Sequence, residues 1–204
     1  NGAQPNSLIE GTDGNLYGTC QRGGTNNTGT VFKLTTTGTL TTLVNLSSTT
    51  QGSAPLEALT AGGDGSYYGT CSSGGTSNWG TVFRITPSGT FTALALFNNL
   101  TNGTATQPMG NSPQTKLVLA GDGNLYGTTN FGGSGGFGTV YRVTVATGAV
   151  TSLVSFTSTS GFDRRVQRQQ IDLTGNVADQ LDDAGHRLGR LAQTLRLAVG
   201  GLDL

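Results

Sequence analysis

The sequence predicts an all-β fold of three four-stranded repeats, followed by a helical segment. First, the heptad DGNLYGT at 13–19 returns as DGSYYGT at 64–70 and as DGNLYGT at 122–128. Second, Gly fills 34 of the 204 positions and Thr is abundant, which is typical of short strands joined by tight turns. Third, the net charge is zero, whereas disordered chains usually carry a high net charge. These observations indicate a glycine-rich tandem-repeat protein.

The repeat extends on both sides of the heptad. Asp13, Asp64 and Asp122 are separated by 51 and 58 residues, and similar segments beginning GGT, GGT and GGS follow them. The seven additional residues of the second spacing fall in a stretch rich in Gly, Asn, Pro and Thr, which predicts a surface loop. We therefore expect one β domain over 1–160, with repeats at about 7–50, 55–100 and 113–158.

Each copy divides into four predicted strands, which in the first copy are Leu8–Glu10, Asn15–Cys20, Thr30–Thr35 and Leu40–Leu46. An Asp-Gly turn joins the first two strands, because Gly adopts positive φ at no steric cost and Asp tolerates it. A Gly-Gly loop precedes the third strand, and a second turn leads to the fourth. A structural turn role follows for six residues: Asp13, Gly14, Asp64, Gly65, Asp122 and Gly123.

Adjacent apolar residues recur inside these strands, as in Leu16–Tyr17, Val31–Phe32 and Val82–Phe83. Neighbours in a strand point to opposite faces, so both faces of each sheet are predicted to be partly buried. Four-stranded units of roughly 50 residues that stack face to face around an axis are the blades of a β-propeller. Propellers usually have about four to eight blades, so we expect a partial array or one completed by association. A β-trefoil, which also uses three four-stranded units, is the alternative.

The order of a strand, DGNLYGT, a GG loop, GTVFKLT, a turn and GTLTTL resembles the GloVer-type tandem repeat of bacterial choice-of-anchor surface proteins. The DGN-aromatic-Gly-Thr core is also similar to blades of the two-component-regulator propeller type. The resemblance covers roughly residues 7–156. It implies an exported protein, extracellular or at the cell surface, with a propeller-like array. It carries over no catalytic residues, and we find no match to the short C-terminal anchoring segment that such proteins usually carry.

Residue usage changes near Ser160–Gly161. The last 44 residues hold six Arg and six Asp, against five basic and five acidic side chains in residues 1–160. Apolar residues then recur at steps of three and four, namely Leu173, Val177, Leu181, Ala184, Leu188, Leu191 and Leu195. This spacing predicts a helix over about 173–198. Two interpretations stay open: a helix for self-association or for covering the open array, and a 161–204 tail foreign to the native repeat protein.

The sequence offers few residues for catalysis. The lone His, His186, lies in the predicted helix, beside Gly185 and Arg187. The three repeated aspartates have a sufficient local role in their turns, and one His with two distant Cys does not form a usual zinc set. We therefore expect no enzyme activity, no metal and no cofactor. Zero net charge gives no reason to bind nucleic acid, and no apolar run is long enough to span a bilayer.

Cys20 and Cys71 occupy equivalent positions in the first two copies. Their even number and the implied export permit a disulfide. Equivalent residues of adjacent blades usually lie beyond the roughly 7 Å Cα limit for a disulfide, so we expect two half-buried thiols.

The best candidate for ligand binding is the tip of the GG loops. Trp79 and Phe137 align there, and Asn78 precedes Trp79. An aromatic ring beside an amide can stack on a sugar while the amide binds hydroxyls; the simpler alternative is that both rings pack over a neighbouring sheet.

Two functional hypotheses follow. The first is a non-catalytic surface module that binds carbohydrate or a cell-surface protein, or that has a structural role. The alternative is a fragment of a propeller enzyme, of lyase or glycosidase type, whose active site lies outside this chain. Self-association is expected through the 173–198 helix or through the open edges of the repeats.

Overall fold

The structure, a computed structural model, describes residues 1–97 and 109–157. In these ranges the chain forms strands and turns and no helix. The predicted helix over 173–198, His186 and most of the long loop before the third copy lie outside the described residues. The strands are β1 (Gly2–Glu10), β2 (Leu16–Gly23), β3 (Thr30–Leu34), β4 (Leu40–Asn45), β5 (Thr60–Ala61), β6 (Tyr67–Cys71), β7 (Thr81–Ile85), β8 (Phe91–Leu96), β9 (Asn111–Pro113), β10 (Val118–Leu119), β11 (Leu125–Phe131), β12 (Thr139–Val143) and β13 (Val150–Ser155).

Each repeat forms its own antiparallel sheet. Sheet 1 has the order β1-β2-β3-β4, sheet 2 the order β5-β6-β7-β8, and sheet 3 the order β10-β11-β12-β13, with β9 also paired to β11. The prediction of an all-β fold with three repeated sheets is confirmed. The β-trefoil alternative is wrong, because a trefoil shares strands of its three units in one barrel. The three sheets do not close into a ring.

The same irregularity occurs in every sheet, between its third and fourth strands. The register shifts at Val31/Phe32, at Val82/Phe83 and at Val140/Tyr141. A β-bulge increases the local right-handed twist of the paired strands. Its recurrence at equivalent positions shows that the three repeats share backbone geometry as well as sequence.

Two apolar cores lie between successive sheets. One joins residues of sheets 1 and 2, including Tyr17 and Tyr67, whose rings stack with centroids 4.3 Å apart. The other joins residues of sheets 2 and 3, including Tyr68 and Tyr141. Tyr67 and Tyr68 are neighbours in β6 and belong to different cores, so sheet 2 is buried on both faces. The prediction from adjacent apolar residues is confirmed for this sheet.

We call the side of a sheet that faces the preceding repeat its front face, and the other side its back face. Leu59, Phe83 and Ile85 lie on the front face of sheet 2, in the core shared with sheet 1. Val82 and Ala95 lie on its back face, in the core shared with sheet 3. Because the repeats align residue by residue, these two sets define the front and back faces of the outer sheets as well.

The second Gly of each repeated heptad, the one that follows Tyr, lies opposite an aromatic residue of the third strand. Gly18 pairs with Phe32, Gly69 with Phe83, and Gly127 with Tyr141. A Cβ added at Gly18 would lie 2.7 Å from Phe32 Cζ, and one added at Gly127 would lie 2.5 Å from the Tyr141 hydroxyl. The ring therefore covers the glycine backbone, an arrangement that compensates for the missing side chain in a strand.

Each repeat also begins with a Gly-x-x-Pro segment that the sequence reading did not single out: GAQP at 2–5, GSAP at 52–55 and GNSP at 110–113. The residue before each proline has positive φ: 57° at Gln4, 52° at Ala54 and 57° at Ser112. A Cβ at Gly52 would collide with Cys71 and Thr81, with contacts of 2.6 Å to each. The repeated unit thus starts several residues before the boundary predicted from the heptad.

Candidate functional site

The three Asp-Gly turns form a repeated polar cluster at the start of the second strand. In repeat 1, Asp13 Oδ1 accepts a hydrogen bond from the Asn15 backbone N–H at 3.2 Å. Asp13 Oδ2 accepts from the Tyr17 hydroxyl at 2.8 Å and from Lys33 Nζ at 2.9 Å. The Lys33 ammonium also lies 5.7 Å from the centre of the Tyr17 ring. The carboxylate therefore ties the turn to the second and third strands.

In the other two turns the aspartate again accepts a hydrogen bond from the backbone N–H two residues further on, but its side-chain partners differ. Asp64 accepts from the Ser66 backbone N–H at 3.0 Å and pairs with Arg84. Asp122 accepts from the Asn124 backbone N–H at 3.0 Å and from the Tyr126 hydroxyl at 2.7 Å. Each aspartate is thus bonded within its own repeat, as a side chain that caps its own turn.

These contacts keep the carboxylates ionised. The hydrogen bond from Lys33, with further bonds from Asn15 and Tyr17, holds the pKa of Asp13 well below its usual range. Hydrogen bonds from Ser66 lower the pKa of Asp64 to about 2, and hydrogen bonds from Asn124 lower that of Asp122 to about 2. A general acid or base works best with a pKa near the working pH. The three carboxylates are therefore poorly suited to proton transfer.

The described ranges contain no group of three or more His, Cys, Asp or Glu side chains placed to hold a metal ion. Within 1–97 and 109–157, no helix has the length and apolar character needed to cross a membrane.

The structure places the predicted ligand-binding residues on two different loops. Trp79 is half-buried and packs against the core between sheets 2 and 3. Asn78 is exposed, has a positive φ of 60°, and its side-chain Oδ1 accepts a hydrogen bond from the Gly74 N–H at 2.9 Å. Phe137 is 39% exposed at the equivalent position of repeat 3. Packing against the core accounts for the partial burial of Trp79, while ligand binding by Asn78, Trp79 and Phe137 stays a prediction.

Both cysteines are unpaired, as expected, but they are buried rather than half-buried. Cys71 lies on the front face of sheet 2 inside the first core, where burial raises the pKa of its thiol to about 12. Cys20 occupies the equivalent position of sheet 1.

A feature that the sequence reading missed is an apolar groove on the front face of sheet 1. It encloses about 390 Å³ and is lined by Pro5, Leu8, Phe32, Leu40 and neighbouring residues. Leu8 is 50% exposed and Leu40 is 43% exposed. The groove could be found only by aligning these residues with their buried equivalents in sheets 2 and 3.

Comparison with known proteins assigns the family. Residues 1–181 match the Gloeobacter/Verrucomicrobia repeat, so the chain belongs to this repeat family. The resemblance to the GloVer-type repeat is thereby confirmed. The match begins at residue 1 and so includes the first Gly-x-x-Pro segment.

Among solved structures, the chain is similar to the X-ray structure of a protein provisionally described as a gluconolactonase. The two are 16% identical, with a TM-score of 0.48, and the similarity covers 77% of this chain and 51% of that one. This chain therefore spans about half the length of that protein. A search of curated proteins gave no match.

Proposed function

We propose that this chain is a non-catalytic repeat module of a propeller-like array, exported from the cell, that serves recognition or structure at the cell surface. The observation that carries this proposal is that the three repeated aspartates are all hydrogen-bonded within their own repeats. Asp13, Asp64 and Asp122 each accept hydrogen bonds from residues of their own turn or of the strand that follows it, and Asp13 and Asp64 also pair with a basic residue of the third strand. The most regular polar groups of the fold thus have a structural role in every copy.

The propeller-like arrangement is supported by the stacking of the sheets. Each sheet has four sequential antiparallel strands, and successive sheets bury apolar side chains between them. A stack of this kind presents its strand-connecting loops in rows along its rims. Ligand sites are often carried by loops on a rigid scaffold.

For recognition, the GG-loop tips of repeats 2 and 3 are the proposed contact points, and a carbohydrate is the proposed ligand. Phe137 is 39% exposed, and the exposed Asn78 immediately precedes the half-buried Trp79 in the loop of repeat 2. Ring stacking and amide hydrogen bonds are a suitable combination for a sugar, which has apolar faces and polar edges.

The test is a glycan-array screen of the full chain, followed by calorimetric titration of any glycan that binds. The variants use residues from the equivalent positions of other repeats. Trp79→Thr and Phe137→Thr copy Thr28, and Asn78→Gly copies Gly136. We expect each variant to weaken binding about tenfold, since one stacking or hydrogen-bonding contact contributes roughly 1–2 kcal/mol.

Asn27→Gly is the matched control, because Asn27 occupies the same loop position in repeat 1, where Thr28 replaces the aromatic ring. It should leave the affinity unchanged. A screen without any bound glycan, or binding that survives all three loop variants, would contradict the carbohydrate proposal. Steady turnover of a sugar ester or glycoside by the purified chain would contradict the non-catalytic assignment.

A further inference from the structure

The two junctions between sheets are built from the same parts. A proline at the start of each later repeat packs on a loop glycine of the repeat before it. A Cβ added at Gly29 would lie 2.7 Å from Pro55 Cδ, and one added at Gly80 would lie 2.6 Å from Pro113 Cδ. Only a residue without a side chain leaves room for the proline there.

A backbone hydrogen bond accompanies each proline contact. Ala54 N–H donates to the Thr28 carbonyl at 3.0 Å, and Ser112 N–H donates to the Trp79 carbonyl at 2.9 Å. The positive φ of Ala54 and Ser112 accompanies this bond in both junctions. The junctions therefore match in backbone contacts as well as in side chains.

Apolar side chains fill the space between the sheets at equivalent positions. On the front faces, Leu59 is 1% exposed and Leu117 is 2% exposed. On the back faces, Leu46 is 0% exposed and Phe97 is 1% exposed. Each junction thus buries a front-face leucine of one repeat and a back-face apolar residue of the repeat before it.

The two outer faces carry the same side-chain set without this cover. Leu8 takes the place of Leu59 and Leu117 on the front face of sheet 1, where it is 50% exposed. Phe156 takes the place of Leu46 and Phe97 on the back face of sheet 3, where it is 46% exposed. Pro5 in repeat 1 is the equivalent of Pro55 and Pro113, and Gly138 in repeat 3 is the equivalent of Gly29 and Gly80. The nine residues that line the front groove carry no charge.

We propose that the front groove of sheet 1 is a docking surface for a second copy of this chain, which binds head to tail through the back face of its sheet 3. Pro5 then packs on Gly138 of the partner subunit, as Pro55 packs on Gly29. The two described junctions support this pairing, because the back face of sheet 3 carries the equivalents of the residues that pack on a front face in both of them. Two copies joined at both ends would place six sheets in one ring, within the usual range of about four to eight blades.

The test is sedimentation equilibrium and light scattering of the full chain over a wide concentration range. Leu40→Glu places a charge on the front face and Leu153→Glu places one on the back face. Both leucines are already exposed, at 43% and 44%, so the variants should fold normally. Thr36→Glu, in the exposed turn between β3 and β4, is the control for the added charge.

We expect wild type and Thr36→Glu to form dimers. Each leucine variant alone should associate at least about tenfold more weakly, because a charge must then be buried at every junction. An equimolar mixture of Leu40→Glu and Leu153→Glu should regain association, since it restores one junction between an unaltered front and an unaltered back. Leu40→Gln and Leu153→Gln repeat the test if the Glu variants fail to fold.

A chain that stays monomeric at all concentrations overturns the proposal. So does association that Leu153→Glu leaves unchanged, because that result indicates front-to-front pairing. Association that the mixture does not restore also overturns it, because an unaltered front face and an unaltered back face then fail to bind each other. A change in stability without a change in mass also overturns it, since the groove would then be covered by the chain's own residues. A monomer that still binds glycan would leave the proposed function intact, and a dimer that binds none would leave this proposal intact.

Discussion

The close pairing of Gly69 with Phe83 predicts a marked loss of stability for Gly69→Ala. A Cβ at Gly69 would lie 2.9 Å from both Leu59 Cδ2 and Phe83 Cε1, whereas ordinary contact begins near 3.4 Å. The Phe83 side chain is 0% exposed and stacks on Phe91 at 5.0 Å, so it has little room to move. Overpacking a core by one methyl group costs about 1–3 kcal/mol. The reduced entropy of the unfolded chain offsets about 0.4–1 kcal/mol of this cost.

The expected net loss is about 1–2 kcal/mol in the free energy of unfolding, or a fall in Tm of roughly 2–8 °C for a domain of this size. Urea titration followed by tyrosine and tryptophan fluorescence measures it. Gly63→Ala is the matched control, because a Cβ there meets nothing within 4 Å and repeat 1 carries Thr12 at that position. It should be neutral or slightly stabilising.

Gly69→Ala combined with Phe83→Leu should cost less than the sum of the two single changes, because the shorter side chain leaves room for the new methyl group. Wild-type stability in Gly69→Ala, or strict additivity of the pair, would refute the role assigned to the ring.

Three further predictions follow from the described contacts. The Tyr141 hydroxyl is buried without a hydrogen-bond partner in the described part of the chain, so Tyr141→Phe should raise the free energy of unfolding by about 1 kcal/mol in urea titration; a loss of stability would contradict this. The pKa of Asp64 is depressed to about 2 from 3.8, so its contribution to stability is complete above pH 3.8 and is lost as the pH falls toward 2. Asp64→Asn should therefore reduce the acid sensitivity of Tm, and an unchanged pH profile between pH 5 and 2 would count against the hydrogen bonds from Ser66 and Arg84 that lower this pKa. Cys71 is 0% exposed and its thiol pKa is raised to about 12, so it should resist alkylation at pH 8 until urea unfolds the chain; labelling at the rate of a free thiol would show that the first core opens readily.

The sequence was sufficient to predict most of the sheets, because strand alternation is a local property. Leu40–Leu46 was predicted and β4 spans Leu40–Asn45, and Thr30–Thr35 corresponds to β3 at Thr30–Leu34. The first strand was predicted too short: the prediction was Leu8–Glu10, whereas β1 runs from Gly2 to Glu10 and passes through Pro5, with a shift in register between Pro5 and Leu8. Proline is tolerated there because β1 is the edge strand of its sheet.

The contacts between repeats could not be predicted in the same way. The role of Gly69 depends on Phe83, which is its neighbour only after the strands pair. The front groove depends on which face of sheet 1 lacks a neighbour, and no local pattern distinguishes Leu8 from Leu59. The Asp-Gly turns were the easier part of the candidate site, since an aspartate that caps its own turn needs only residues within its own hairpin.

The sameness of the junctions also bears on how such a gene can change. Every boundary between repeats uses the same pair of matching faces. An unequal crossover that adds or removes one repeat therefore creates no new kind of boundary. The number of repeats can therefore change one at a time during evolution. The effect of each change on stability depends only on the two outer faces of the array.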